Sequence, residues 1–328
     1  MTKLIAIEEH FLTPDIRAAW AASPIQDGTS AFDRGEIESR LDDLGGGRIA
    51  LMDEAGIDVQ VLSVTTPALH NLDPEQSIDL ARQTNDLLAA TVAKHPTRFQ
   101  AFAVLPTASP AEAALELERT IAQPGFAGTM LCGRTRDKNL DHPDLRPIFA
   151  TAAKLGAPVF IHPQIPQRSV RDVLYGGFGE PIDTAFAAFG LGWHYEAGIQ
   201  FVRLTLAGVF DEFPDLQIIL GHWGEVVLFY LERLNALARV TKLQRPIDDY
   251  FRQNLYVTPS GMWSQEYMQR SLKIVGPERI LFSTDYPYQY RPGAPGKAFL
   301  EAAGLSEQHK KLFANGNWRR LTSSIQRF

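Results

Sequence analysis

Short runs of apolar and β-branched residues recur along the chain, separated by stretches whose apolar positions return every three or four residues. Runs at 3–9, 58–64, 98–105 and 126–132 predict four strands, and runs at 157–162, 216–222, 254–259 and 279–284 predict four more. Several are apolar throughout, as strands covered on both faces of a parallel sheet should be. Helix punctuation fills the intervals. Asp73-Pro74-Glu75-Gln76 offers an N-cap, a first-turn proline and a capping-box residue, after which Ile78, Ala81, Leu88 and Val92 share a face. Ser109-Pro110-Ala111-Glu112 repeats that opening, Pro124-Gly125 and Gly156 close helices, and Gly45-Gly46-Gly47 divides the pattern at 35–55.

Eight strands, each followed by helical sequence, predict an α/β fold, a (β/α)8 TIM barrel in one domain over 1–328; a doubly wound sheet is the alternative. No glycine-rich phosphate loop follows the first strand. Long irregular segments are expected after strand 1 (11–34) and strand 5 (163–181), insertions at the mouth of the barrel where active sites are built. The second holds Tyr175-Gly176-Gly177-Phe178-Gly179, which matches no specificity motif.

Composition narrows the function. The chain is 45% hydrophobic and 21% charged, with 32 basic and 38 acidic residues for a net charge of −6, which argues against nucleic-acid and anionic-membrane partners. One cysteine, Cys132, precludes an internal disulfide or a cysteine-cluster metal site and reads as a small buried hydrophobe. The opening MTKLIAIEEHF is too short in its apolar run for a signal peptide, and no stretch reaches the ~20 residues of a membrane span, so a cytoplasmic protein is expected.

Unusual polar residues then fall at the strand ends. Glu8, Glu9 and His10 end strand 1, His162 ends strand 5, His222 ends strand 6, and Asp285 follows strand 8. Burying carboxylates and imidazoles is costly unless they pair or bind a cation. Each alone reads as a capped rim residue; four at corresponding ends of separate strands point to a metal. Alternation puts Glu8 and His10 on one face and Glu9 on the other. Glu8, His10, His162 and Asp285 suit zinc, manganese or iron(II).

The ExH at Glu8–His10, VFIHP at 159–163, GHWGE at 221–225 and FSTDYP at 282–287 resemble the amidohydrolase superfamily. Within it, the chain resembles the metal-dependent, nonoxidative decarboxylases of the γ-resorcylate (2,6-dihydroxybenzoate) and 5-carboxyvanillate type, from LIAIEEHF to GNWRRL. Most amidohydrolases open with HxH and many carry a metal-bridging lysine on strand 4; here stand ExH and Thr129-Met130-Leu131-Cys132. The resemblance therefore implies one divalent ion, Mn2+ or Zn2+, held by Glu8, His10, His162 and Asp285. It also implies a carboxy-lyase acting on a hydroxylated benzoate, and a homotetramer or dimer.

The resemblance also implies that Asp285 is both ligand and proton donor to the ring carbon. His222, oriented by Glu225, binds substrate or assists proton transfer, while Glu225 alone reads as a cap of the following helix. Arg233, two turns along that helix, matches in position a substrate-carboxylate arginine of the related decarboxylases, acting in its own or a neighbouring subunit's site, with a surface salt bridge as the alternative. His70 is a candidate for the mouth, and His194 for pocket wall or subunit interface; His95, His142 and His309 read as structural. Phe11, Trp193, Tyr195, Trp223, Tyr286 and Tyr288 are candidates to wall an aromatic substrate. A lactone or amide hydrolase on the same scaffold is the rival activity, and a binding protein with a vestigial site the rival class.

Overall fold

Seven of the eight apolar runs form strands in the computed structural model, which describes residues 2–25 and 32–328. They are β1 (Ile5–Phe11), β2 (Val59–Val64), β3 (Phe99–Ala103), β4 (Phe126–Cys132), β5 (Val159–His162), β6 (Ile218–Leu220) and β7 (Leu255–Val257). All neighbours are parallel and the sheet order is the chain order, so every connection is a crossover carrying helix.

The eighth run corrects the expectation, because 279–284 is not a strand. It bridges both edges of the sheet by isolated bonds instead. Leu281 N–H donates to the Val257 carbonyl (2.9 Å), while Ile7 and His10 N–H donate to the carbonyls of Phe282 (3.0 Å) and Tyr286 (2.7 Å). Side chains take the remaining ladder positions: Glu9 accepts from Thr284 N–H (2.8 Å), and Ser283 Oγ accepts from Ser260 N–H (2.9 Å). Asp285, at φ 58°, ends the extended run.

An inner core explains the sheet's curl. Ile5, Ile7, Val61, Phe102, Met130, Phe160, Ile219, Tyr256 and Leu281 form one buried cluster that draws on every strand and on the bridging segment. Trp318 and Leu321 of the helix Asn317–Ser323 join it; Trp318 Nε1 donates to Gln100 (2.8 Å) and its ring meets Phe102 edge-on. A second, larger cluster lies between the strands and the helices. Two residues beyond the inner apolar layer, the same faces present Ser63, His162, Thr258 and Ser283, all buried. The apolar floor thus ends in a polar layer.

Strand β1 departs from simple alternation. Ile5 and Ile7 face the inner cluster, which would turn Glu9 inward, but the β1–β2 register shifts between Ala6 and Glu9. This irregularity changes the phase by one residue. Glu8 and His10 point into the polar layer, and Glu9 accepts from Gln60 Nε2 (3.1 Å) and from Thr284 on the other face. Glu9 thus faces away from Glu8 and His10, for a reason that alternation does not supply.

Helices Pro74–Lys94 and Pro110–Ile121 begin where expected, although Asp73 and Ser109 make no side-chain cap bond. The pattern at 35–55 does divide into Glu36–Asp42 and Gly46–Ala55, with Gly45 as the N-cap of the second and the other two glycines in its first turn. The segment 11–34 is less irregular than anticipated, since Pro14–Ala22 is helical and Thr13 caps it by accepting from Ile16 N–H (3.3 Å); residues 26–31 of it lie outside the described residues. Likewise Arg168–Leu174 is helical within the segment that follows β5. No helix among the described residues is long and apolar enough to cross a membrane.

His70 is corrected from mouth to core. It is buried, and its Nε2 accepts the backbone N–H of Cys132 on β4 (3.1 Å). Burial lowers its pKa from 6.5 to about 4. Because the folded value lies below the unfolded one, its stabilisation is complete above pH 6.5 and is lost as pH falls toward 4. His70→Gln keeps an acceptor without titrating. In urea unfolding at pH 7 and pH 4.5, the wild type should lose about 2 kcal/mol more than the variant; equal losses would remove His70 as the cause.

Candidate metal centre and active site

Glu8, His10, His162 and Asp285 come together at the polar end of the inner core, with one ligand atom of each within 4.8 Å of the others. All four are buried. His10 Nε2 lies 3.4 Å from Asp285 Oδ1, and His162 Nε2 lies 3.7 Å from Glu8 Oε1. The far side of each group is tied down. His162 Nδ1 donates to the Pro163 carbonyl (2.8 Å), leaving the Nε2 lone pair for the centre. His10 Nδ1 is 3.1 Å from Ser63 Oγ. Glu8 Oε2 accepts from Ser260 Oγ and, more weakly, from Ser283 (3.3 Å) and Thr258 (3.4 Å).

Two atoms are left over. Glu8 Oε1 and His10 Nε2 are buried and have no hydrogen-bond partner among the described residues. Burial pushes the Glu8 carboxyl well above the usual range, with His222 pulling it back and Asp285 pushing it further up. Burial, then the neighbouring His10 and His222, drives His162 far below its ordinary value, so its ring is neutral and can ligate. Unpaired buried donor atoms, two carboxylates and two imidazoles, that of His162 neutral, fit a divalent cation, which would relieve the repulsion and occupy the orphaned lone pairs.

His222 and Glu225 are positioned by an unusual turn. Residues 222–226 all have positive φ: 45°, 59°, 90°, 50° and 71°. This single left-handed turn brings His222 Nδ1 to 2.6 Å from Glu225 Oε1. It corrects the expectation that Glu225 caps a right-handed helix continuing to Arg233; helix returns only at Leu231–Leu234. Four non-glycine residues in this conformation cost about 1–3 kcal/mol each, a strain found where a site requires it. Burial alone would lower the His222 pKa, but the Glu225 carboxylate raises it to about 10. Burial likewise opposes the Glu225 charge, yet His222 and His194 hold it at about 2. The pair is ionic at neutral pH. His222 Nε2 lies 3.9 Å from Asp285 Oδ2.

A cavity of about 820 Å³ opens over these residues. His162, His222, Glu225 and Asp285 line it with Trp193, Trp223 and Tyr288, within an otherwise mostly apolar wall that includes Phe189, Leu191, Val226, Leu228 and Met262. Phe11 and Tyr286 do not line it; Tyr286 lies under the Arg48 guanidinium (4.5 Å). Arg233 is exposed and is not among the lining residues, whereas Arg270 is. Sequence reading missed Ser260, Arg270 and the role of His194. Ser260 follows β7 at φ 47°, a conformation without a signal in its residue type.

Gly221 is required for space: a Cβ there would lie 2.7 Å from Ser260 Oγ and 3.0 Å from Glu8 Oε1. Gly221→Ala, Glu8→Gln and His162→Ala should each lower bound manganese below half of the wild-type stoichiometry by elemental analysis. Unchanged metal content in Glu8→Gln and His162→Ala would refute the ligand assignment.

The sequence profile of the amidohydrolase family matches residues 11–321. The γ-resorcylate decarboxylase of Polaromonas sp. is 35% identical over 334 residues, 98% of each chain. The structure of 5-carboxyvanillate decarboxylase from Sphingomonas paucimobilis superposes with a TM-score of 0.90 at 33% identity, covering 99% of this chain and 100% of that one. A dihydroxybenzoic acid decarboxylase from Polaromonas sp. JS666, with bound manganese and the inhibitor 2-nitroresorcinol, gives a TM-score of 0.85 at 33% identity over 98% and 97% of the two chains. Similarity of this extent, carried from β1 to the C-terminal helix, means that the chain belongs to the amidohydrolase family.

Proposed function

We propose that the protein is a metal-dependent, nonoxidative decarboxylase of a hydroxylated benzoate such as 2,6-dihydroxybenzoate. The observation that carries this reading is the buried Glu8–His10–His162–Asp285 cluster, two of its atoms unpartnered, opening on an apolar cavity beside an ionic His222–Glu225 pair. Decarboxylase relatives, one of them with manganese bound, support it. The inner cluster and the bridging segment support a single-domain (β/α)8 barrel over 1–328, with insertions after strands 1 and 5. We assign it to the cytoplasm, as a homo-oligomer without nucleic-acid or membrane partners.

Loss of carbon dioxide from an aromatic ring leaves charge on carbon, so protonation of that carbon must come first. One divalent ion, Mn2+ or Zn2+, held by Glu8, His10, His162 and Asp285, would supply a Lewis acid for the carboxylate and ortho oxygen. Asp285, at the cavity floor, hands its proton to the ring carbon bearing the carboxylate; the bond to the carboxylate carbon then breaks, carbon dioxide leaves and aromaticity returns. His222, with Nδ1–H committed to Glu225, presents Nε2–H to substrate oxygen and to Asp285. Trp193, Trp223 and Tyr288 wall the ring. Arg233 lies outside its own chain's cavity and serves as a carboxylate grip only across a subunit interface.

Incubation of the manganese-loaded protein with a panel of 2-hydroxy- and dihydroxybenzoates should release carbon dioxide and the corresponding phenol. Asp285→Asn should remain folded and lose at least about a thousandfold in kcat, within the range of a positioned proton donor. Metal-bound protein that is silent on the panel but opens lactones would replace this reading with a hydrolase.

A further inference from the structure

We propose that His194 is a positioning residue, whose Nδ1–H fixes the Glu225 carboxylate and through it the ring of His222. The inference rests on the decarboxylase reading above. Glu225 is fully buried and uses both oxygens: Oε1 accepts from His222 Nδ1 (2.6 Å) and Oε2 from His194 Nδ1 (2.7 Å). The two imidazoles pack 4.5 Å apart at 64°. The other end of His194 is held as well, its Nε2 lying 3.2 Å from Trp193 Nε1 and 3.3 Å from the Phe189 carbonyl. A carboxylate has no hydrogen to give, so His194 Nδ1 must carry the proton, whichever partner Nε2 takes.

A carboxylate gripped at one oxygen can still turn; gripped at both, its plane is set. That plane sets the His222 ring, whose Nε2 then faces Asp285 Oδ2 (3.9 Å) in the cavity. Without His194, a buried charged acceptor loses its donor and must rotate toward another. His194, His222 and Glu225 also have potential ligand atoms within 4.8 Å of one another. Both carboxylate oxygens, however, already receive N–H groups at hydrogen-bond distance, which closes the trio to a second cation.

His194→Phe keeps the ring without the donor, and His194→Asn returns an N–H near the Nδ1 position. With manganese-loaded enzyme and 2,6-dihydroxybenzoate, His194→Phe should lower kcat about 10–100-fold while KM and metal content stay at wild-type values. His194→Asn should recover most of the loss. In protein labelled with 15N-histidine, His194→Phe should shift the His222 ring-nitrogen resonances and His194→Asn should restore them. If His194→Phe does not fold, His194→Ala takes its place. Unchanged kcat and resonances in the donor-free variant, or a loss that His194→Asn does not relieve, would overturn the proposal; a fall in metal stoichiometry would convert the trio into a cation site. A wild type silent on every benzoate sinks the decarboxylase reading alone, and the resonances still decide the role of His194.

Discussion

Two carboxylates and two imidazoles share a space under 5 Å across at the end of the sheet's apolar inner cluster, and much of the structure answers the cost of putting them there. Burial disfavours the charged form of a carboxylate, and it pushes the Glu8 carboxyl above its ordinary value. Three of the four are therefore held from behind by a neutral or complementary group: Ser260 on Glu8, Ser63 on His10, the Pro163 carbonyl on His162. What remains unsatisfied points inward, toward the position where a cation would sit.

Support extends behind β1. Arg48, fully buried, donates to the carbonyls of Asp43 (2.7 Å), Arg40 (3.1 Å) and His10, and to Gln60 (3.2 Å), while stacking on Tyr286. Burial lowers its pKa to about 10, with Tyr286, Glu9 and Asp43 opposing the shift, so it remains charged at neutral pH. Glu9 accepts from the Thr284 backbone and side chain, next to Asp285. The arginine thus anchors the backbone of His10, and the glutamate anchors the neighbour of Asp285. Left-handed backbone at His222, Glu225, Ser260 and Asp285 concentrates strain in the same place. The well-packed apolar layer beneath is what holds such conformations against relaxation.

Seven strands and most helices were legible in the chain because burial on both faces of a parallel strand demands apolar runs, and helix starts demand particular caps. The four residues that the fold gathers were legible for a related reason: carboxylates and histidines at strand ends are conspicuous against apolar sequence. The eighth strand was not, because Ser283, Thr284 and Glu9 take over hydrogen bonds that a ladder would make, a substitution invisible in composition. His70 was misplaced because a single buried hydrogen bond, to Cys132 N–H, decides its environment. His194 offered no local signal, since its partner lies thirty-one residues away.

By itself, then, the sequence determined the layer architecture, the residues that could hold a metal and the apolar surroundings against which they stand. Those are properties of residue type and local spacing. Only tertiary structure decided that Glu8 rather than Glu9 faces the centre, through a one-residue phase change in β1. It alone decided that residues 222–226 turn left-handed, and that Glu225 serves two histidines. Register and backbone handedness depend on what the rest of the chain packs against them, and no local pattern encodes that.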